Sequence, residues 1–295
     1  MVNVQLIEDK RLLIYADYKQ QKMYGILFLI PSIFFVIALV IHPLFILVGF
    51  ILLCLAIRNF SHAFHINKSF RDIVKKEIIS KLIKEHLEDV SYDAKAFIPV
   101  SKIIKTGIIK SPDKSIAEDY IKGIYKGIGF EVCDIDYQEL ITSPNEHHSS
   151  YETYFKGRWY IYTFNRIFND ELIIIEKNGF GHIKSNLEKI ETESIEFNQK
   201  FSVYATTQTF GFYIITSTMI ERLLEVEKMH HGRIFYYLSK NELHVGIDDR
   251  KDYLEISLKK PLSQERLSPI ISDIALIPAM IDRLQLDQSK FVSAL

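Results

Sequence analysis

The sequence predicts an α+β protein, in which a two-helix transmembrane hairpin precedes a cytoplasmic domain with a largely antiparallel sheet and flanking helices. The first observation is an apolar run over residues 24–57 that contains no Asp, Glu, Lys or Arg. The second is the order of the later segments, where strands follow one another and do not alternate with helices. The third is the 16 Tyr and 20 Phe, mostly in strand-like stretches, which favour a β-rich core.

The apolar run is too long for one membrane span and long enough for two short ones. A single helix of this length would reach about 50 Å, whereas one span needs about 20 residues. We therefore expect two segments, residues 24–41 and 43–57, with a turn at His42 and Pro43 and a kink at Pro31. A buried soluble hairpin is the alternative, but soluble helices normally carry a polar face.

Cations flank the run on both sides, and the turn between its segments has none. The positive-inside rule then predicts a two-pass plasma-membrane protein with both termini in the cytoplasm. About 23 residues precede the run and no small-residue cleavage site follows it, which argues against a cleavable signal peptide. Four of the cations are candidate contacts to lipid head groups: Lys22, Arg58, Lys68 and Arg71.

By this interpretation the chain has four parts. Residues 1–23 form a cytoplasmic segment, residues 24–57 the hairpin, residues 58–90 a juxtamembrane amphipathic helix, and residues 91–295 the cytoplasmic domain. The amphipathic helix is clearest over residues 68–90, where apolar residues recur at steps of three and four. Its apolar stripe packs either on the sheet of the domain or on a partner helix.

Composition argues against some classes of function. The formal net charge is −1 and no basic stripe interleaved with aromatic residues stands out, so nucleic-acid binding is not expected. Cys54 lies in the membrane segment and Cys133 in the cytoplasmic part, so we expect no disulfide between them. Two cysteines cannot build a structural zinc site unaided.

In the first half of the domain the pattern predicts mostly strands. Residues 115–122 form a short helix that enters a strand, and residues 120–140 are strand-like. Gly123, Gly127 and Gly129 then mark bends or bulges. The further expectations are a loop over residues 143–150, a strand over 151–164, its continuation over 172–175, and a turn at Asn178 and Gly179.

The second half predicts more strands and two helices. Strands are expected over residues 193–205 and 209–215, and a helix over 218–229 with Thr218 and Glu221 as a capping box. A hairpin about residues 239–241 joins strands 233–238 and 242–247, and a strand follows over 253–258. A helix over 262–286, kinked or split at Pro278, packs on the sheet or forms an oligomer seam.

Several segments, together with the two-span hairpin, are similar to those of a known family. They are residues 119–123 (Asp-Tyr-Ile-Lys-Gly), 154–158 (Tyr-Phe-Lys-Gly-Arg) running into 164–165 (Phe-Asn), 196–204 (Glu-Phe-Asn-Gln-Lys-Phe-Ser-Val-Tyr), and 213–216 (Tyr-Ile-Ile-Thr) running into 219–224. Over most of residues 20–260 the chain resembles the bacterial family called domain of unknown function 3137.

The resemblance implies a membrane protein with an N-terminal hydrophobic hairpin and a cytoplasmic domain. Family genes have been noted beside those of LemA-type membrane proteins, which implies such a protein as a candidate partner. The family has no agreed catalytic residues to carry over, so the resemblance leaves the function open.

Groups of potentially reactive residues give only weak evidence of catalysis or metal binding. No Walker loop, HExxH, CxxC or GxSxG motif occurs, and we assign no catalytic, cofactor-binding or metal-binding residue. His62 and His65 are a candidate metal-binding pair, but no carboxylate lies near them in the sequence. Asp134 and Asp136 are a candidate cation site, and a solvated strand face is the preferred interpretation of this pair. Three further pairs are interpreted as a solvated loop, a helix C-terminus and a charged turn: His147–His148, His230–His231 and Asp248–Asp249.

Two lysines that precede glycines are the candidate interaction or anion contacts. They are Lys122 before Gly123 and Lys156 before Gly157, since backbone amides beside a lysine can hold an anion. The alternative interpretation of both pairs is a turn with a surface lysine.

The leading hypothesis is a non-enzymatic, membrane-anchored interaction module that needs no cofactor. Its partners would be the lipid bilayer and either another membrane protein or a second copy of the chain. The alternative is a membrane-tethered sensor that binds a small ligand or lipid in an aromatic-lined pocket. An enzyme or a channel is less favoured, because no catalytic motif occurs and the two spans offer no polar pore lining.

Overall fold

The computed structural model of the protein describes residues 4–37, 42–142, 149–177, 186–230 and 232–292. The chain forms two compact units, Met1–Leu82 with Glu255–Pro269 and Ile83–Leu254 with Ile270–Leu295. Two apolar helices come first and an antiparallel sheet with flanking helices follows, which confirms the α+β class. Four expected features lie outside the described residues: most of the 143–150 loop, the turn at 178–179, His147–His148 and His231.

The helices of the first unit are longer than the sequence predicted. Helix α1 covers Val4–Ile37 and helix α2 covers Leu44–Val74; a π-helical turn at Lys75–Ile79 and helix α3, Ser80–His86, continue the second helix. The helices therefore continue beyond residues 24 and 57 and end before residue 90, whereas the limits of the membrane hairpin itself stay a prediction. The physical reason is that residues 4–23 and 58–86 contain neither Gly nor Pro, so nothing ends a helix where its composition turns polar.

Small residues let α1 and α2 pack closely as antiparallel neighbours. A Cβ atom added to Gly49 would lie 3.1 Å from the carbonyl oxygen of Ser32, and one added to Gly25 would lie 2.8 Å from the Phe60 ring. A seven-residue repeat is typical of helices that wind around each other. Buried residues of α2 follow this repeat: Gly49, Ala56, Ala63 and Phe70.

Side chains of α1 hold the segment 255–269 within the first unit. Arg11 is buried, pairs with Glu8 through two 2.7 Å contacts, and donates to the carbonyl oxygen of Leu258 at 2.7 Å. Glu8 in turn accepts from the backbone N–H of Leu262 at 2.7 Å. The strand expected over residues 253–258 is therefore wrong, since backbone groups such as the Leu258 carbonyl bond to side chains here.

The second unit is built on a seven-stranded antiparallel sheet, counted over the described residues. Its order is β1-β2-β3-β4-β6-β5, and β7 pairs with β4. The strands are β1 Val90–Asp93, β2 Lys114–Tyr125, β3 Ile128–Thr142, β4 Ser149–Glu176, β5 Glu188–Ile190, β6 Phe201–Ala205 and β7 Arg233–Asp248. The helices are α4 Val100–Ile104, α5 Ile195–Lys200, α6 Gln208–Ile214, α7 Ser217–Glu227 and α8 Gln264–Leu284.

Strands β2 and β3 form a hairpin that replaces the helix expected over residues 115–122. Their register runs from Lys114 opposite Gln138 to Tyr125 opposite Ile128, so long-range pairing overrides the local pattern. Both turn residues have positive φ, 50° at Lys126 and 76° at Gly127, as a two-residue hairpin turn requires. Gly127 is thus a bend as expected, whereas Gly123 and Gly129 lie within strands.

Strand β7 runs straight through residues 239–241, where the sequence predicted a hairpin. Its first half pairs with Glu171–Ile175 of β4 and its second half with Gly157–Thr163. The pairing of β7 with β4 is irregular near Lys240, whose φ is 53°. The two expected strands are therefore one strand, because β4 is long enough to pair with both halves.

Threonine and serine hydroxyls start short helices where strands were expected. Ser194 accepts from the N–H of Phe197 and begins α5, and Thr207 accepts from the N–H of Phe210 and begins α6. The strand expected over 193–205 is thus correct only in its last five residues, and that over 209–215 is wrong. Helix α7 was predicted, but Thr216 caps it in place of the expected Thr218.

Both faces of the sheet are covered. One face carries Trp159 and Ile161 in a core that includes Ile103 of α4. On the other face the hydroxyl of Tyr162 donates to the carbonyl oxygen of Ile277 in α8 at 3.0 Å. Helix α8 is unbroken at Pro278, so the expected split does not occur.

We expect Gly157→Ala to destabilise the second unit by at least about 2 kcal/mol. A Cβ atom at Gly157 would lie 2.0 Å from the carbonyl oxygen of Ile247 on β7, which forces the two strands apart. Urea unfolding followed by fluorescence measures this, because the chain has a single tryptophan and Trp159 is fully buried in this unit.

Gly129→Ala is the matched control for this substitution. It lies in the same sheet, and the nearest atom to its added Cβ is 3.6 Å away, so the variant should stay within about 1 kcal/mol of the parent. Equal unfolding midpoints for the two variants would show that strand β7 does not constrain position 157.

Candidate functional site

Charged side chains line up across three strands on the face of the sheet that carries Tyr162. The register places Glu118 of β2 opposite Asp134 of β3, and Asp134 opposite Arg158 of β4. Two residues further along, Asp136 lies opposite Lys156. Side chains two apart on a strand share a face, so this part of the sheet presents two rows of charge. The sequence predicted one face for Asp134 and Asp136 but not their partners.

Arg158 and Asp134 form a buried ion pair. The Nε atom of Arg158 donates to Asp134 Oδ1 at 2.7 Å, and 1% and 8% of the two side chains are exposed. Neither terminal nitrogen of Arg158 has a hydrogen-bond partner among the described residues. A solvated strand face, the favoured interpretation of Asp134, is therefore wrong. Its burial depends on an arginine 24 residues away in sequence.

Tyr253 closes one side of this pair. Its backbone N–H donates to Asp134 Oδ2 at 3.1 Å, and its ring lies 4.1 Å from the guanidinium carbon of Arg158. Its hydroxyl donates to Asp249 at 2.6 Å. A cation over an aromatic face is stabilised by the ring quadrupole, so Tyr253 contacts both members of the ion pair and tethers its loop to β3.

Burial controls the protonation of this cluster. It raises the pKa of Asp134 to about 7, although Arg158 acts in the opposite direction. Burial also raises the pKa of Asp273 on α8, again against the influence of Arg158. Desolvation lowers the pKa of Arg158, but the combined effect of Asp134, Tyr160 and Tyr253 is larger and raises it.

A polar cleft of about 150 Å³ lies beside the ion pair. The charged side chains that line it are Glu118, Asp134, Asp136, Asp252, Lys156 and Lys251. Lys156 Nζ lies 3.8 Å from a carboxylate oxygen of Asp136 and 3.8 Å from one of Asp252. The lysine is therefore balanced by carboxylates. The volume is also below the roughly 300 Å³ at which small-molecule pockets begin.

The structure does not bring the two predicted lysine–glycine pairs together. Lys122 is exposed and lies opposite Glu131, whereas Lys156 lies opposite Asp136. Glu131 and Asp136 are five residues apart on β3, so the two lysines are about 17 Å apart along the strand direction. Gly123 and Gly157 are both inside strands, so the two pairs occupy separate places on the sheet.

Asp248 does not lie in the charged turn that the sequence predicted for Asp248 and Asp249. Asp248 is the last residue of β7 and is 4% exposed. It accepts from the backbone N–H of Lys156 at 3.1 Å, and it pairs with Arg233 and, at 3.4 Å, with Arg250. The carboxylate thus joins β4, the start of β7 and the loop after β7. Its partners come from three separate segments, which no local pattern reveals.

A buried histidine, which the sequence did not indicate as a site residue, lies on the opposite face of the sheet. Trp159 Nε1 donates to His244 Nδ1 at 3.2 Å, and His244 Nε2 lies 3.2 Å from Glu242. The hydrogen bond from His244 lowers the pKa of Glu242 to about 2, and Lys102, 3.2 Å away, acts in the same direction. The only sequence signal was the alternation of Glu242 and His244 in a strand.

Other potentially reactive groups are inert or exposed. Burial raises the pKa of Cys133 to about 12, which disfavours the thiolate that nucleophilic chemistry needs. His62 and His65 are exposed on α2.

An apolar cavity lies between the sheet and helices α7 and α8. Its volume is about 30 Å³, which leaves room for about one water molecule. It is mostly aliphatic, unlike the expected aromatic-lined pocket.

The first unit carries the features of membrane association. Gln5–Ile37 and Leu44–His86 are long and apolar enough to cross a membrane, and only 11% and 17% of their apolar windows are buried. These two candidate spans support membrane association. All four predicted lipid contacts are exposed on the helices: Lys22, Arg58, Lys68 and Arg71.

Comparison with known proteins agrees with the family resemblance. Residues 153–286 match the model of a family described as "Protein of unknown function (DUF3137)", which confirms the resemblance over that range. The crystal structure of the mycobacterial trehalose monomycolate transport factor A, TtfA, is similar over 72% of this chain and 97% of its own, with 10% identity and a TM-score of 0.39. No curated protein matches the chain.

We expect Asp134→Asn to lower the free energy of unfolding by about 3–5 kcal/mol at pH 8, because Arg158 then stays buried without a counter-ion. Trp159 fluorescence in urea measures this for the full chain in detergent. The double variant Asp134→Leu with Arg158→Met is the control, since an apolar pair of similar volume should restore most of the stability. A loss below 1 kcal/mol for Asp134→Asn would contradict the importance of the pair.

Proposed function

We propose that the protein is a non-enzymatic, membrane-anchored interaction module. The observation that carries this proposal is the outward-facing apolar surface of α1 and α2. Large apolar residues such as Leu27, Phe34, Leu47 and Phe50 are more than half exposed there, and no charged residue interrupts them. A contiguous apolar surface of this extent is typical of contact with lipid or another protein.

The anchor enters the bilayer as a helical hairpin with both termini in the cytoplasm. Cations flank the apolar run on both sides and the connecting turn has none, which supports this orientation. Residues 91–295 then form a domain on the cytoplasmic side. Lys22, Arg58, Lys68 and Arg71 contact anionic head groups of the inner leaflet.

An exposed arm of the sheet supports the interaction role. Leu140 of β3 lies opposite Tyr151 of β4, and these side chains are 46% and 51% exposed. Ile141, whose side chain points to the other face of this arm, is 39% exposed. Aromatic and aliphatic side chains grouped on a surface are typical of protein interfaces. The partner is another membrane protein, of which the LemA type is the one that the family resemblance implies, or a second copy of this chain.

The alternative, a sensor of small ligands, has less support in the cytoplasmic part. The apolar cavity has about 30 Å³ and the polar cleft about 150 Å³. Both are smaller than the roughly 300–1,000 Å³ of typical ligand pockets. Lys122 and Lys156 with their glycines remain candidate surface contacts for a partner.

Cysteine labelling tests the orientation. In a Cys54→Ala background, we expect His42→Cys to react with a membrane-impermeant maleimide in intact spheroplasts, because the hairpin turn faces outward. Lys76→Cys is the matched probe on the other side and should react only in inverted vesicles. Both positions are exposed, and Cys133 is buried. The opposite labelling pattern would place the termini outside the cytoplasm.

Surface substitutions test the interaction role. We expect Leu140→Ser with Tyr151→Ser to abolish crosslinking to a stoichiometric membrane partner in cells at native expression, while urea unfolding of Trp159 stays unchanged. Ile167→Ser is the control, because this side chain is 70% exposed elsewhere on β4. A chain that crosslinks to no partner, or a partner retained by the double variant and lost in the control, would contradict the proposed arm.

A further inference from the structure

A groove in the first unit lies where the uncharged run of α2 ends. It is lined by Gln21 of α1 and by a face of α2 that includes Arg58, Ser61, His62 and His65. The spacing of three and four residues places these α2 side chains on one helical face. Ala56 and Ala63, which pack toward α1, are buried. The groove is also lined by the buried Asn59, so it has one buried side and an exposed face that carries Arg58, Ser61, His62 and His65.

The groove is larger than the apolar cavity and the polar cleft described above, and it offers hydrogen-bond donors. Its volume is about 670 Å³, within the range of ligand-binding sites. The side chains of Arg58 and His62 make no hydrogen bond or ion pair within the described part of the chain. A guanidinium presents five N–H groups in a fork that matches phosphate oxygens, and a hydroxyl, an amide and imidazoles add further donors.

The residues that line the groove include a cation and no carboxylate. In the sequence no Asp or Glu occurs between Asp17 and Asp72, whereas Lys22, Arg58 and Lys68 lie in that interval. The groove therefore differs from the cleft beside Arg158, which four carboxylates line. The two histidines lack the carboxylate ligands that would favour a metal ion.

The position of the groove, at the end of the apolar run, indicates which kind of anion it binds. Ile57 and Cys54 line it together with Arg58, so it extends across the boundary between apolar and polar residues. The exposed side chains of Phe50 and Ile51 lie within two turns on the apolar side. A ligand with a charged head and apolar chains matches both parts, whereas a free anion matches only the polar part.

We propose that this groove binds the phosphate head group of one anionic phospholipid. The proposal rests on the membrane anchoring proposed above and goes beyond it, because it assigns a defined lipid site in place of diffuse attraction. Arg58 holds the phosphate through two N–H groups, and His62, His65 and Ser61 donate to its remaining oxygens. Phe50 and Ile51 lie along the acyl chains.

The test uses the full chain in nanodiscs that contain equal amounts of phosphatidylglycerol and phosphatidylcholine. Native mass spectrometry then counts the lipids that stay bound after the disc is removed. We expect the parent protein to retain one phosphatidylglycerol in preference to phosphatidylcholine. Arg58→Gln should lower this preference about tenfold, and His62→Gln with His65→Gln should also lower it, since both remove donors to the phosphate.

Lys76→Gln is the matched control. Lys76 is an exposed cation 18 residues beyond Arg58, it does not line the groove, and it is not among the proposed head-group contacts. The lipid preference of this variant should stay within twofold of the parent. An equal loss for Arg58→Gln and Lys76→Gln would show diffuse attraction and overturn the site. Displacement of the lipid by millimolar inorganic phosphate would likewise overturn it in favour of a free anion.

Flotation with vesicles of the same lipids separates this inference from the anchoring proposal. A parent protein that does not float contradicts the membrane anchor. A parent protein that floats but retains both lipids equally contradicts the groove alone. If Arg58→Gln does not insert, the variant with both histidines replaced gives the answer, with unchanged selectivity counting against the site.

Discussion

The second unit depends on strand β4 being paired along both of its edges. Residues 157–163 lie between β3 and β7, and residues 172–175 lie between β6 and β7, whereas the exposed arm before residue 156 pairs with β3 alone. Each unpaired backbone group in a protein interior costs free energy, so a strand of 28 residues needs this double pairing. The requirement explains why β7 is continuous and why position 157, which approaches the β7 backbone closely, is a glycine.

The buried ion pair reinforces the same pairing. A slip of one residue between β3 and β4 would move Asp134 to the face opposite Arg158, leaving a charge buried without its partner. Such a state costs several kcal/mol, so the pair selects one register among those that apolar residues alone would allow. Tyr253 extends this selection to the loop after β7 by bonding to Asp134 and stacking on Arg158.

The first unit obeys a different constraint, because its two helices present distinct faces. The inner face carries small residues at seven-residue spacing, which permits close backbone contact without large side chains. The outer face carries exposed apolar residues over the uncharged run and exposed donors beyond it. One helix can therefore pack against its neighbour and still offer a second surface to lipid.

Several features of this protein were predicted correctly from its sequence. The two apolar helices, the antiparallel sheet with flanking helices and the helix before β7 were all predicted, because each follows from local composition and periodicity. The family resemblance also rested on local segments. Cys133 and Cys54, expected to be unpaired, are free thiols.

Tertiary structure decided what depends on distant partners. The continuity of β7 follows from the length of β4. The burial of Asp134 required Arg158, and that of Asp248 required Arg233 and Lys156. A sequence specifies local preferences residue by residue, but the free energy of burying a charge depends on partners that only the folded chain brings within contact.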